Sequence, residues 1–148
     1  MEGCLACDLA AGRAPLPGGV IHETSGWVVE HCVGPLGVGT LIVKPKRHVT
    51  HVWQLEERES EELGPLLRRV AAAVADVCEP EQVYLALWSH AGGQPVHIHL
   101  VVQPVTRALM DELGSYGPHL QVAMFDRGEL PPHDEVERIA ETFRAALA

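Results

Sequence analysis

The stretch GGQPVHIHLVVQP, from Gly92 to Pro104, sets His97 and His99 two residues apart inside an apolar run. Side chains alternate along a strand, so a strand over Val96–Gln103 turns His97, His99 and Val101 to one face and Val96, Ile98, Leu100 and Val102 to the core. At roughly 3.3 Å rise per residue the two histidine Cα atoms lie about 7 Å apart, close enough to serve one site. Two chemistries suit them. Both imidazoles can bind one metal together with a third ligand and a water. Alternatively, one is a structural ligand while the other attacks phosphorus and forms a covalent phospho-histidine species. The plain reading is a polar sheet face. Gly92-Gly93, just before the strand, lets backbone N–H groups approach phosphate oxygens closely.

A second group lies at the start of the chain. Cys4 and Cys7 form a C-x-x-C pair, whereas Cys32 and Cys78 stand alone and read as packing residues. In a reducing compartment such a pair points to metal or redox chemistry before a disulfide. Lys44-Pro45-Lys46-Arg47-His48 forms a compact basic loop whose cations read as solvated. His22, His31, His51, His119 and His133 read mainly as surface or loop residues. Trp27, Trp53 and Trp88 fit either a core or a base pocket.

The elements that must position these groups are legible in outline. Residues 20–23 and 26–31 predict a hairpin across a Thr24-Ser25-Gly26 turn, and 40–43 a third strand. From Glu56 to Val77, Leu63, Leu66, Leu67, Val70, Val74 and Val77 recur at helical spacing, with a kink or restart expected at Gly64-Pro65. Residues 83–88 and 96–103 predict an antiparallel pair around the loop 89–94. The segment 105–130 shows no clean period, carries Gly114, Gly117-Pro118 and Gly128, and reads as a long excursion with at most one short element. After Pro131-Pro132, Asp134 and Glu137 have the form of a capping box and open a C-terminal helix. Strands and helices mixed in this way predict an α+β fold, and 148 residues fit a single domain, 1–148.

Composition narrows the partners. A net charge of −9 disfavours broad binding to nucleic acid or anionic membrane. No apolar run approaches the roughly 18 residues of a membrane span, and the N-terminus lacks the pattern of a signal peptide, so a cytoplasmic protein is expected.

With these residues in view, HIHLVVQP resembles the signature of the histidine triad (HIT) superfamily, nucleotide hydrolases and transferases with three alternating histidines before an apolar pair and often a proline. The resemblance extends from Cys4-Leu5-Ala6-Cys7 through GVGTLIVKPKRHV to the signature, in family order. It implies a HIT-like fold, an antiparallel sheet of about five strands with one long helix and a C-terminal helix. It also implies a small-molecule nucleotide substrate and a homodimer joined near the long helix and a neighbouring strand. Aligning Pro104 with the family's proline makes His97 the first histidine and His99 the catalytic second, with Val101 replacing the third. A shift of two residues would make them the second and third, with Pro95 replacing the first. Several branches hold zinc through a C-x-x-C pair, a histidine after the basic loop and the first signature histidine. The corresponding set here is Cys4, Cys7, His48 and His97, suited to a closed structural site.

The implied chemistry is attack by His99 on the α-phosphorus of a nucleotide, its Nδ1–H held by the residue-97 carbonyl. Gly92, Gly93, Gln94 and Ser89 are the candidate substrate contacts. Solvent, Gln103 or His90 would protonate the leaving group in place of a third histidine. Ala86, where many members carry asparagine, and Thr40, where a histidine is common, also depart from the pattern. Two other readings stay open: a non-catalytic nucleotide-binding protein that lost activity with the third histidine, and a hydrolase in which His97 and His99 both bind zinc and a water is the nucleophile.

Overall fold

The computed structural model describes residues 1–148. Five strands, β1 (Val20–Glu23), β2 (Trp27–His31), β3 (Leu41–Pro45), β4 (Gln82–Ala86) and β7 (Leu100–Val105), form one antiparallel sheet in the order β1-β2-β3-β7-β4. Between β4 and β7 a small hairpin, β5 (His90–Ala91) and β6 (Gln94–Pro95), stands apart as a second sheet. The helices are α1 (Leu5–Ala10), α2 (Glu57–Cys78), α3 (Arg107–Leu113), α4 (Pro118–Arg127) and α5 (His133–Leu147). The architecture is α+β, with an antiparallel sheet, one long helix and a C-terminal helix.

One face of the sheet packs on α2 and α5. The apolar stripe expected for the long helix buries Leu66, Val70 and Val74 against Ile21, Trp27, Val29, Leu41, Val43 and Val102, with Ala140, Phe143 and Leu147 closing the layer from α5. The Trp27 indole N–H donates to the Glu59 carbonyl at 2.9 Å, pinning β2 to the start of α2. The β1–β2 turn is held by the Glu62 carboxylate, which accepts from the hydroxyls of Thr24 and Ser25 and the N–H of Gly26. Pro65 does not restart α2. It lies on the exposed side, beside exposed Glu61, where water can take the carbonyl that proline leaves without a donor.

The other face is covered by the segment 105–130, which contains two helices and not one short element. Leu120 and Met124 of α4 pack with Cys32, Leu36, Ile42, Val101 and Val105. The residues that looked like loop formers are helix ends. Gly114 and Gly128 close α3 and α4 in the left-handed conformation, and Gly117 precedes Pro118 at the first position of α4. α3 presents Leu109, Met110 and Leu113 and α4 presents Leu120 and Met124, and helices of seven and ten residues are too short for that spacing to register as a period.

β7 is also shorter than expected. Its pairing with β3 ends at Val43↔Leu100. The preceding residues turn to the loop after β3 instead, with the Ile98 N–H donating to the Val49 carbonyl at 2.7 Å. The loop 89–94 contains the β5–β6 hairpin, in which Ala91↔Gln94 close a two-residue turn at Gly92-Gly93. Both glycines have positive φ, 57° and 76°, as this tight hairpin turn requires.

Candidate active site and metal centre

The C-x-x-C pair is arranged by the start of α1. Cys4 is the residue that caps the helix, and its sulfur accepts from the Cys7 N–H at 3.4 Å, which brings both sulfurs to one end. His48 arrives from the loop after β3 and His97 from the segment before β7. Nδ1 of His97 is 3.7 Å from Cys4 Sγ and 3.6 Å from Cys7 Sγ, and Nδ1 of His48 is 3.5 Å from Cys7 Sγ. All four donor atoms lie within 4.8 Å of one another. A tetrahedral zinc with ordinary Zn–S and Zn–N bonds separates its ligand atoms by about 3.3–3.8 Å, so a small contraction closes this set on the ion.

The tautomer of His97 agrees with that role. Its Nε2–H donates to the Pro45 carbonyl at 2.8 Å, which leaves the Nδ1 lone pair directed at the two sulfurs. Burial holds the His97 imidazole below its usual pKa, the neutral form a metal needs. The Cys7 thiol is pushed up by burial and by the neighbouring Cys4, so a cation bound at this site would favour its thiolate.

His99, two residues on, does something different. Its Nδ1–H donates to the His97 carbonyl at 3.2 Å, leaving Nε2 as a lone-pair nitrogen on a half-buried ring. Its backbone is clasped by Ser89, whose hydroxyl accepts from the His99 N–H at 2.9 Å and donates to the His99 carbonyl at 3.4 Å. The ring and main chain of the candidate nucleophile are thus both held.

The other candidate residues fall in several places. Ser89 is buried against the His99 backbone. Gly92, Gly93 and Gln94 stand exposed at the tip of the β5–β6 hairpin, where both glycines serve the turn. Val101 is 6% exposed and lies in the apolar layer under α4. Gln103 is fully buried, donating to the Leu36 carbonyl at 3.3 Å and accepting from the Gln121 amide at 3.0 Å, and so does not face solvent as a proton donor. His90 is exposed on β5.

Several single-residue expectations change. His31 is a core residue, donating from Nδ1 to the Cys32 carbonyl at 2.8 Å and accepting at Nε2 from the Gly39 N–H at 2.9 Å. Trp27 is in the core, whereas Trp53 and Trp88 are exposed, Trp53 stacked on His51. Of the three cations of the basic loop, Lys46 and Arg47 are exposed as expected, and Lys44 is not. Arg47 pairs with Glu59 and Lys46 with Glu23, while Lys44 is buried and paired with buried Glu30 at 2.7 Å. The signal for that last pair is present in the strands WVVEH and LIVKP, each of which carries one charge among apolar residues.

Fold and site together define the class: the chain has the histidine triad fold. A Hit-like protein from Bartonella henselae, involved in cell-cycle regulation, superposes with a TM-score of 0.74 at 17% identity, over 99% of this chain and 98% of that one. A hypothetical histidine triad nucleotide-binding protein from Sulfolobus tokodaii gives a TM-score of 0.72 at 17% identity, over 97% and 91%. A Zn-bound histidine triad family protein from Mycobacterium smegmatis gives 0.68 at 21% identity, over 98% and 93%. No protein-family model and no curated protein matches the sequence.

Proposed function

We propose that the protein is a nucleotide phosphohydrolase or nucleotidyl transferase that works through a covalent nucleotidyl-His99 intermediate. The observation that carries this reading is the fixed tautomer of His99, with Nδ1–H on the His97 carbonyl and Nε2 free. Nε2 forms a bond to the α-phosphorus as the bond to the leaving group breaks, and the leaving group takes a proton from solvent or from exposed His90. Water or an acceptor then attacks the same phosphorus and returns His99 to its starting form. Neutral imidazole is the reactive state, and the carbonyl of residue 97 also stabilises the cation that develops on the ring.

In this reading Cys4, Cys7, His48 and His97 hold a structural zinc, and a Zn-bound fold relative supports the choice of metal. Zinc would supply a fixed link between α1, the loop after β3 and the segment before β7. The alternative with His97 and His99 as joint ligands of a catalytic zinc finds less support, because His99 commits Nδ1 to a carbonyl and lies outside the donor cluster.

Burial of Val101 favours a second reading. The position of the missing third histidine is part of an apolar core, so a nucleotide-binding protein without turnover fits the same fold. A panel of nucleoside phosphoramidates, dinucleoside polyphosphates and nucleotide sugars, followed by chromatography, separates the two. Turnover lost in His99→Ala by about 10³-fold or more, with zinc retained, is the expected result. Nucleotide binding by calorimetry with no cleavage of any compound would favour the binding protein. A homodimer and a cytoplasmic location are part of the proposal. Edge strand β4, with exposed Leu85, offers a side for pairing, and no helix is long and apolar enough to cross a membrane. Sedimentation at a dimer mass is expected.

A further inference from the structure

Lys44 and Glu30 stand on one face of adjacent strands, 2% and 3% exposed, with Nζ 2.7 Å from Oε1. Two apolar side chains in such a place commonly stabilise a fold as well as a buried ion pair or better. This pair is also imperfect, since the second oxygen of Glu30 is buried without a partner. Stability alone therefore gives no reason for it.

What the pair provides is an ammonium against α1. Lys44 Nζ donates to the carbonyl of Ala6 at 3.0 Å, and Ala6 lies between Cys4 and Cys7. Apart from the cysteine–histidine contacts, this is the only hydrogen bond from residues 1–14 to the rest of the chain. α1 has six residues and buries a single side chain, Leu9. A helix of that length does not hold its shape or place unaided. Glu30 neutralises the ammonium and aims it, so that the carbonyl between the two sulfurs is held before any metal arrives.

We propose that the Lys44–Glu30 pair is a positioning device that docks the C-x-x-C turn on the sheet and so preorganises the metal site. This rests on reading Cys4, Cys7, His48 and His97 as a zinc site. Second-sphere contacts of this kind commonly change metal affinity by about 10–100-fold.

The test is zinc affinity by chelator competition on the full chain, wild type against the double variant Lys44→Met/Glu30→Leu, which removes both charges together so that neither is left unpaired. A loss of about 10–100-fold in affinity is expected. Hydrogen exchange on the metal-free proteins supplies a reading that does not depend on the metal. The amides of α1 should exchange faster in the variant while those of β2 and β3 keep their protection. Lys44→Met/Glu30→Leu with wild-type affinity and wild-type α1 exchange overturns the proposal and leaves the metal site intact. Exchange that rises throughout the sheet also overturns it, because the pair would then be a general support of the fold. Wild-type protein that takes up no zinc rejects the metal reading itself.

Discussion

At the scale of single residues, the two histidines of HIHLVV are separated by the acceptors they meet. His97 spends Nε2 on Pro45 and presents Nδ1 to the cysteines, whereas His99 spends Nδ1 on the residue between β6 and β7 that precedes it by two and keeps Nε2. Spacing placed both near one site, but it could not assign the nitrogens, because that depends on carbonyls brought close by folding. Val101 is likewise intelligible only with α4 in place. A histidine there would bury a polar ring among Ile42, Leu120 and Met124. Val101→His is expected to lower stability by about 1–3 kcal/mol in urea unfolding, and to give no gain in turnover. A stable and more active variant would show that position 101 faces substrate. The four metal-binding candidates were legible through resemblance to a known pattern. Glu30 and Lys44 each stand among apolar residues, but Lys44 reads as the start of the basic loop, because sequence does not show that β3 runs on to Pro45 or which strand faces are covered.

At the scale of elements, the long and the C-terminal helices announced themselves through sustained apolar spacing, and four of the five main strands fall close to their expected places. The failures cluster where elements are short. α3 and α4 have seven and ten residues, and glycines that cap them resemble loop punctuation. β7 starts later than its sequence pattern, because alternation continues through Val96–Leu100 while the hydrogen bonds pass from β3 to Val49. If α4 is a true second layer, Leu120, which is fully buried, anchors it. Leu120→Ala should cost about 2–5 kcal/mol in equilibrium unfolding. A loss below about 0.5 kcal/mol, the range of surface substitutions, would mean that the helix is only loosely laid on the sheet.

At the scale of the whole molecule, the sheet is a partition with one core beneath it and a smaller one above, and the candidate site lies where β7 leaves the partition to meet the N-terminus. Metal binding should therefore couple distant parts of the chain. Loading with zinc is expected to raise the unfolding temperature, in scanning calorimetry, by an amount that grows with free zinc, and Cys4→Ser should abolish the rise. A midpoint indifferent to zinc would contradict the coupling. In the metal-free protein acidity acts through His31, His22 and His97, all held below the usual histidine pKa chiefly by burial. The unfolded chain takes up protons near pH 6.5 while the folded histidines do not, so their contribution is complete above that pH and is lost as pH falls below it, levelling off beneath the folded values. Urea unfolding of the metal-free protein should accordingly show lower stability at acidic than at neutral pH, with a shallower dependence in His31→Gln. An unchanged slope in that variant would place the cause elsewhere. The central claim, that His99 forms a bond to phosphorus, is tested most directly by intact-mass spectrometry of the protein quenched at alkaline pH during turnover. The account predicts a mass increase of one nucleotidyl group, mapped to His99 and absent from His99→Ala. Turnover that continues in His99→Ala, or an adduct on another residue, would contradict it.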